Sequence, residues 1–212
     1  MKRFSDRSAA GKKLGAMLLQ KNLSRPVIVL GLPRGGVPVA SEVARMLGAP
    51  LDVLVVRKIG HPGQSEFAIG AIATGGVLVS GPLMRSGGML DEQTVAAAVQ
   101  RERTELERRE SVYRAGRVPL SLTHQTVVLI DDGLATGSTM LAAVKAARRL
   151  GAAHVICAAP VGSAEAQQRL DPQCDEVVLA HRPDDFASIA EWYDNFPQLE
   201  DFEVQRILAA YS

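Results

Sequence analysis

One stretch constrains this chain more than any other: Thr126 to Thr139, TVVLIDDGLATGST. It opens with a β-branched apolar run, Val127 to Ile130, and then sets two adjacent carboxylates, Asp131 and Asp132. A short loop, Gly133, Leu134, Ala135, Thr136 and Gly137, leads to two hydroxyls, Ser138 and Thr139, at the head of an apolar-periodic segment. The apolar run predicts a buried strand. Carboxylates at its C-terminal end face the crevice in which open α/β sheets bind ligands. Glycines let backbone N–H groups turn around an anion, and a helix N-terminus adds unpaired donors and the positive end of a dipole. Acids suited to vicinal hydroxyls, beside a cradle for an anion, point to a sugar phosphate.

A similar unit comes earlier. Val27 to Leu30 is a short β run leading into GLPRGG, Gly31 to Gly36, and then into a helical pattern with Val39, Val43 and Leu47 at four-residue steps, Pro38 near its start and Gly48 at its stop. Two strand–loop–helix units predict an α/β fold with an open, mostly parallel central sheet flanked by helices. GLPRGG alone reads equally as a tight turn. Arg34 favours an anion loop, because a guanidinium between glycines suits bidentate contact with phosphate. Leu51 to Val56 predicts a third strand, with Arg57 and Lys58 at its end, on the sheet edge that also carries Asp131 and Asp132; a solvated charge pair is the plainer reading. Residues 59–67, IGHPGQSEF, are turn formers and predict a mobile loop, in which His61 and Glu66 are bystanders or proton carriers.

The remaining chain reads as packing. Asp6 or Ser8 caps a first helix with Ala10, Leu14, Met17 and Leu18 on one face, and no chemistry is expected from it. Ala68 to Ala73 and Val77 to Ser80 predict a hairpin. Asp91 caps a long helix whose seam is Val95, Val99, Leu106 and Tyr113, with charge pairs expected at Arg101–Glu105, Glu105–Arg109 and Glu110–Arg114. That seam serves either this chain's own core or a dimer contact, and a homodimer is the assembly expected. Phe186, Ile189, Tyr193 and Phe196 fall at helical spacing, so a helical tail over about 186–212 is expected, its aromatics in the core or stacked on a ligand. Hairpin and long helix then form an insertion over about 68–119 in one domain spanning 1–212.

Composition matters mainly for what it excludes. The formal net charge of +1 argues against a nucleic-acid partner. No run approaches the ~18 apolar residues of a membrane span, and no apolar core follows the basic residues near the start, so a cytoplasmic protein is expected. Cys157 and Cys174 fit two reduced thiols rather than a disulfide framework or metal cluster. The Walker loop, the GxGxxG fingerprint, HExxH and the Gly-x-Ser-x-Gly elbow are all absent.

What remains, VVLIDDGLATGST, closely resembles the phosphoribosyl-pyrophosphate motif of the type I phosphoribosyltransferases. GLPRGG looks like that family's pyrophosphate loop, and Arg57-Lys58 matches the position where its flexible loop begins. RRESVYRAG (108–116) and EWYDNF (191–196) resemble a bacterial subgroup of the family. The resemblance implies that Asp131 and Asp132 bind the ribose 2′- and 3′-hydroxyls. It implies that the amides of Gly133 to Thr139, with the Thr136, Ser138 and Thr139 hydroxyls, hold the 5′-phosphate, and that Arg34, Gly35 and Gly36, with Arg57 and Lys58, meet the pyrophosphate. Asp131, Asp132, Lys58 and Arg34 would be the catalytic set. Mg²⁺ would bridge ligand oxygens, Asp131 and Asp132 being the protein groups nearest it. A non-proline cis peptide is expected at Arg34–Gly35, and a lid from residues 59–67 or 81–119. The implied reaction transfers a phosphoribosyl group from phosphoribosyl pyrophosphate to a nucleobase-like nitrogen, releasing pyrophosphate. A non-catalytic sensor of phosphoribosyl pyrophosphate or a nucleotide is the alternative on the same fold, and a sugar-phosphate hydrolase or phosphorylase is a third reading.

Overall fold

The computed structural model describes residues 3–61, 64–81, 84 and 91–211. In chain order its elements are α1 (Arg7–Leu19), β1 (Val27–Gly31), α2 (Gly36–Leu47), β2 (Leu51–Val53), β3 (Val56–His61), β4 (Gln64–Ala73), β5 (Val77–Ser80), α3 (Glu92–Tyr113), β6 (Thr126–Ile130), α4 (Ser138–Arg149), β7 (His154–Val161), α5 (Ala164–Leu170), β8 (Glu176–His181) and α6 (Asp201–Ala209).

Five strands form the central sheet in the order β2-β1-β6-β7-β8, and every pairing is parallel. β1 and β6 are buried along their whole length, as strands covered by helices on both faces must be. Alternate residues serve opposite layers. Val29, Val128, Ile130 and Ile156 face a core shared with α1, α2, α3 and α6. Leu30, Val127, Leu129, Val155 and Cys157 face a core shared with α4 and α5. Both cysteines are free thiols, Cys157 within that second core. Among the described residues no helix is long and apolar enough to cross a membrane.

A second sheet, β3-β4-β5, is antiparallel and packs between α3 and α4. It corrects two expectations. The apolar run from Leu51 does not stay in one strand: β2 stops at Val53 and β3 begins at Val56, so Arg57 and Lys58 lie within a strand of the second sheet. Residues 59–67 are not a loop either. β3 continues to His61 and β4 starts at Gln64, the two being register partners, while Pro62 and Gly63 lie outside the described residues. Of the segment proposed as an alternative lid, 81–119, residues 82–83 and 85–90 also lie outside them, and most of the rest is a long helix.

α3 starts where Asp91 accepts the Thr94 N–H at 2.9 Å. Its buried line is Ala98, Glu102, Leu106 and Tyr113, with Val95 and Val99 partly buried against the same core. The seam is therefore used within the chain. Glu105–Arg109 forms at 2.7 Å as expected, whereas Arg101 turns to Glu102 and Arg114 to Asp52. Arg114 leaves its helix because Asp52 is buried and needs a partner.

The tail departs most from its spacing. Phe186, Ile189, Tyr193 and Phe196 do not share a helix; only a 3₁₀ turn, Ala190–Trp192, forms there, and Tyr193 is extended. The backbone at Tyr193 instead runs parallel to Phe4 as an isolated bridge, with Phe4 N–H donating to Trp192 O at 2.9 Å and Asp194 N–H to Phe4 O at 2.8 Å. Helix resumes at α6, where Glu200 and Glu203 form a capping box and Val204 and Leu208 point inward.

Candidate active site

Between β1 and β6 the chain connections diverge, since β1 leads outward to β2 and β6 leads outward to β7. Gly31 pairs with Ile130, so the two loops leave the sheet side by side at its C-terminal edge. This is the switch point at which open α/β sheets hold ligands.

The first loop is pressed onto the second. Leu32 N–H donates to Ile130 O at 2.8 Å and Gly36 N–H to Leu32 O at 3.0 Å. The non-proline cis bond is Pro33–Arg34, one bond before the expected Arg34–Gly35. Gly35 has ordinary helical angles, φ −62° and ψ −33°, so its need for glycine is spatial. A Cβ there would lie 1.9 Å from Asp132 Oδ2, and one on Gly36 would lie 2.4 Å from Ile130 O. Arg34 reaches Glu200 at 3.4 Å and Asp201 at 3.9 Å, at the start of α6. Asp201 also accepts from Tyr113 Oη at 2.5 Å, tying α3 to the same point.

The acid pair is held from unexpected directions. Arg7, on α1, donates from Nε to Asp132 Oδ2 at 2.9 Å, with Nη2 ion-paired to the same oxygen at 2.9 Å, and donates from Nη1 to Pro197 O at 2.8 Å. Its guanidinium lies 3.8 Å over the Phe196 ring, which stacks on Tyr193 with centroids 4.8 Å apart. Tyr193 Oη donates to Asp132 O at 2.6 Å. α1, expected only to pack, thus also supplies a side chain to the acid pair, and Tyr193 is committed to packing rather than open to stack a ligand. One signal for Arg7 was present in the sequence: it lies in phase with Ala10, Leu14 and Leu18, and a cation in an apolar stripe needs a buried partner.

The electrostatics follow. Burial, with the neighbouring Asp132 charge, holds the Asp131 carboxyl well above the usual carboxylate range. Burial also raises Asp132, and Arg7 opposes that rise. The Asp132 N–H donates to Asp131 Oδ1 at 2.9 Å, which fixes the rotamer of Asp131. Burial and the adjacent carboxylates push the Tyr193 phenol up, so it remains a donor.

The rest of the loop is anchored from below. Leu134 is buried and bridges to Gly162, while Ser163 donates its hydroxyl to Ala135 O and caps α5. Gly137 has φ +70°, the left-handed conformation that glycine adopts without cost, and it caps α4. Thr136 Oγ1 and Ser138 Oγ are 3.1 Å apart, above the first turn of α4, whose leading N–H groups have no helical partner. Thr139 lies in that turn. Arg169, on α5, donates from Nη1 to Ser138 Oγ at 2.6 Å. Nothing in the sequence spacing marked it.

So the structure brings together Arg34 to Gly36, Asp131, Asp132 and Gly133 to Thr139. It does not bring Arg57 there as a free cation: Arg57 pairs with Glu102 at 2.8 Å, and Lys58 is exposed on β3.

The chain that builds this switch point has known relatives. A model of the phosphoribosyl transferase domain matches residues 2–193. A Mycobacterium tuberculosis protein named "Putative phosphoribosyl transferase" is 45% identical over 208 residues, 98% of this chain. The chain spans about half of that relative, 47% of its length. The crystal structure of TT1426 from Thermus thermophilus is 42% identical, covers 99% of each chain and superposes with a TM-score of 0.87. The fold alone extends to the Giardia lamblia APRTase solved with 9-deazaadenine, at 16% identity over 84% of this chain and 80% of that one, with a TM-score of 0.50. Matched by that domain model over most of its length, and by a close relative across nearly all of it, the chain belongs to the phosphoribosyl transferase family.

Proposed function

We propose that the chain transfers the 5-phosphoribosyl group of phosphoribosyl pyrophosphate to a nucleobase-like nitrogen and releases pyrophosphate. The observation that carries this is the paired exit of the two loops at one switch point. One offers an acid pair and an anion cradle, and the other offers Arg34 between close-packed glycines. Such a ligand has phosphate at each end of a ribose, and the two loops match that order.

Each residue then has a physical task. Asp131 and Asp132 accept hydrogen bonds from the ribose hydroxyls and lie near the positive charge that develops at C1′. The amides and hydroxyls of Gly133 to Thr139 hold the 5′-phosphate. Arg34, released from Glu200, and the amides of Gly35 and Gly36 meet the pyrophosphate; Lys58 adds charge from β3. Mg²⁺ keeps several waters and is usually held by one or two carboxylates together with substrate phosphate oxygens, so Asp131 and Asp132 fit a cation that arrives on the pyrophosphate. When bound, that ion neutralises the leaving group.

A screen of purine, pyrimidine and non-base acceptors with phosphoribosyl pyrophosphate and Mg²⁺ tests the reading. Acceptor-dependent pyrophosphate release is the expected result. Binding without turnover across the panel points to a sensor, and release of free phosphate points to a hydrolase or phosphorylase.

A second expected result concerns Arg7. Arg7→Gln removes the charge that holds Asp132 down, so its carboxyl rises further and the acid limb of the kcat/KM profile moves up by about one pH unit or more. Arg7→Lys keeps the charge and leaves that limb nearer its original place. An unmoved limb in Arg7→Gln would detach Arg7 from the chemistry.

A further inference from the structure

Residues 133–139 carry no formal charge, yet a phosphomonoester brings almost two negative charges beside two carboxylates. The loop offers amides, hydroxyls and a helix dipole, and any full positive charge comes from outside it. α5 is fastened along it: Ser163 N–H donates to Leu134 O at 2.9 Å, and a Cβ on Gly137 would meet Ala166 at 3.3 Å. From this helix Arg169 extends over the loop's helical end, with Nη1 on Ser138 Oγ at 2.6 Å and Nη2 on Glu165 Oε1 at 3.0 Å.

We propose that Arg169 is a phosphate-binding residue, recognising the 5′-phosphate of the sugar together with Ser138. The inference rests on the phosphoribosyl reading of the loop and adds a residue that the motif does not contain. Two effects act together. A guanidinium bonded to a hydroxyl that itself faces the anion is one short shift from the anion, and it makes a charge-assisted bond there. A hydroxyl also has one proton and two lone pairs. Because Arg169 occupies a lone pair of Ser138 Oγ, the Ser138 proton is left to donate, to Thr136 Oγ1 at 3.1 Å or to an arriving anion. Glu165 competes for the same guanidinium and holds it ready, four residues back on the helix.

The test is calorimetric titration of the full chain with ribose 5-phosphate, and separately with pyrophosphate, in Mg²⁺ buffer. Arg169→Gln is expected to weaken ribose 5-phosphate binding roughly 10- to 100-fold, the range for a lost bond to a charged group, and to flatten its salt dependence. Its pyrophosphate affinity should match wild type. Arg169→Lys should recover part of the loss, and Glu165→Gln should tighten ribose 5-phosphate binding by freeing the guanidinium. Equal ribose 5-phosphate affinity in Arg169→Gln and wild type overturns the proposal and leaves the loop's assignment standing. A wild-type chain that binds no ribose 5-phosphate overturns that assignment, and this inference with it. Arg169 is well exposed, so matching circular-dichroism melts for Arg169→Gln are expected.

Discussion

Asp131→Asn should abolish turnover and at the same time raise the melting temperature. The two effects have one cause. Burial and the Asp132 charge hold the Asp131 carboxyl well above its ordinary range, so the folded chain bears a cost whenever that group is ionised. A group raised in this way contributes its full stability below its unfolded pKa and loses it as pH climbs through the folded pKa. At neutral pH the penalty is therefore present. Asparagine has the same shape, keeps an oxygen to accept the Asp132 N–H, and carries no charge. A gain of about 1 kcal/mol is expected, equivalent to a rise of about 3 °C for a chain of this size. The gain should shrink as the pH is lowered toward the usual carboxylate range. Loss of a negative charge aimed at a developing cation should cost about 100-fold or more in kcat. Thermal melts across pH, paired with a pyrophosphate-release assay, check both halves. A variant that turns over normally, or that melts lower at neutral pH, contradicts the assignment.

Gly35→Ala should remove both activity and much of the stability, for a different reason. Its backbone angles suit any residue, so conformational strain plays no part. The new methyl would be placed 1.9 Å from Asp132 Oδ2 and 2.5 Å from its Cγ. Asp132 cannot swing aside cheaply, because Arg7 binds that same oxygen and Arg7 is fixed by Pro197 O and the Phe196 ring. Overpacking of this order typically costs about 1–3 kcal/mol, and here displacement also exposes a buried ion pair to loss of its partner. A double-mutant cycle identifies the mechanism: Asp132→Ala added to Gly35→Ala should restore part of the stability, since the clash is gone, but none of the activity. Destabilisation that simply adds across the two sites would mean the glycine is needed for some other contact.

The core of the fold was written locally, and therefore legibly. Val127 to Ile130, the acids, the glycine-containing loop and the start of α4 at Ser138 depend on neighbours within a few residues, so period and residue type identify them. The same holds for β1 and the loop from Gly31 to Gly36. Arg169 was not legible, and Arg7 was legible only as a buried cation in need of some partner, because each bonds a residue far away in sequence, 31 and 125 positions respectively. The break between β2 and β3 was hidden for another reason. Val53 to Val56 is apolar throughout, and an apolar run does not mark where a chain changes sheets when the junction itself, Leu54 and Val55, is buried. The aromatic tail failed through coincidence of period. Residues three or four apart can converge on one cluster from an extended path, and Phe4 supplies the bridge that holds that path in place.

The reach of Arg7 and Tyr193 to one aspartate also sets an order of events during synthesis. The ribosome delivers Arg7 first and Asp132 much later, and Tyr193 follows Asp132 by a further 61 residues. A nascent chain can already possess β1, β6 and both loops while residues 193–197, which tie down Asp132 and Arg7, are still in the exit tunnel. Its acid pair is then without its clasp. The two carboxylates are fastened only when those residues emerge.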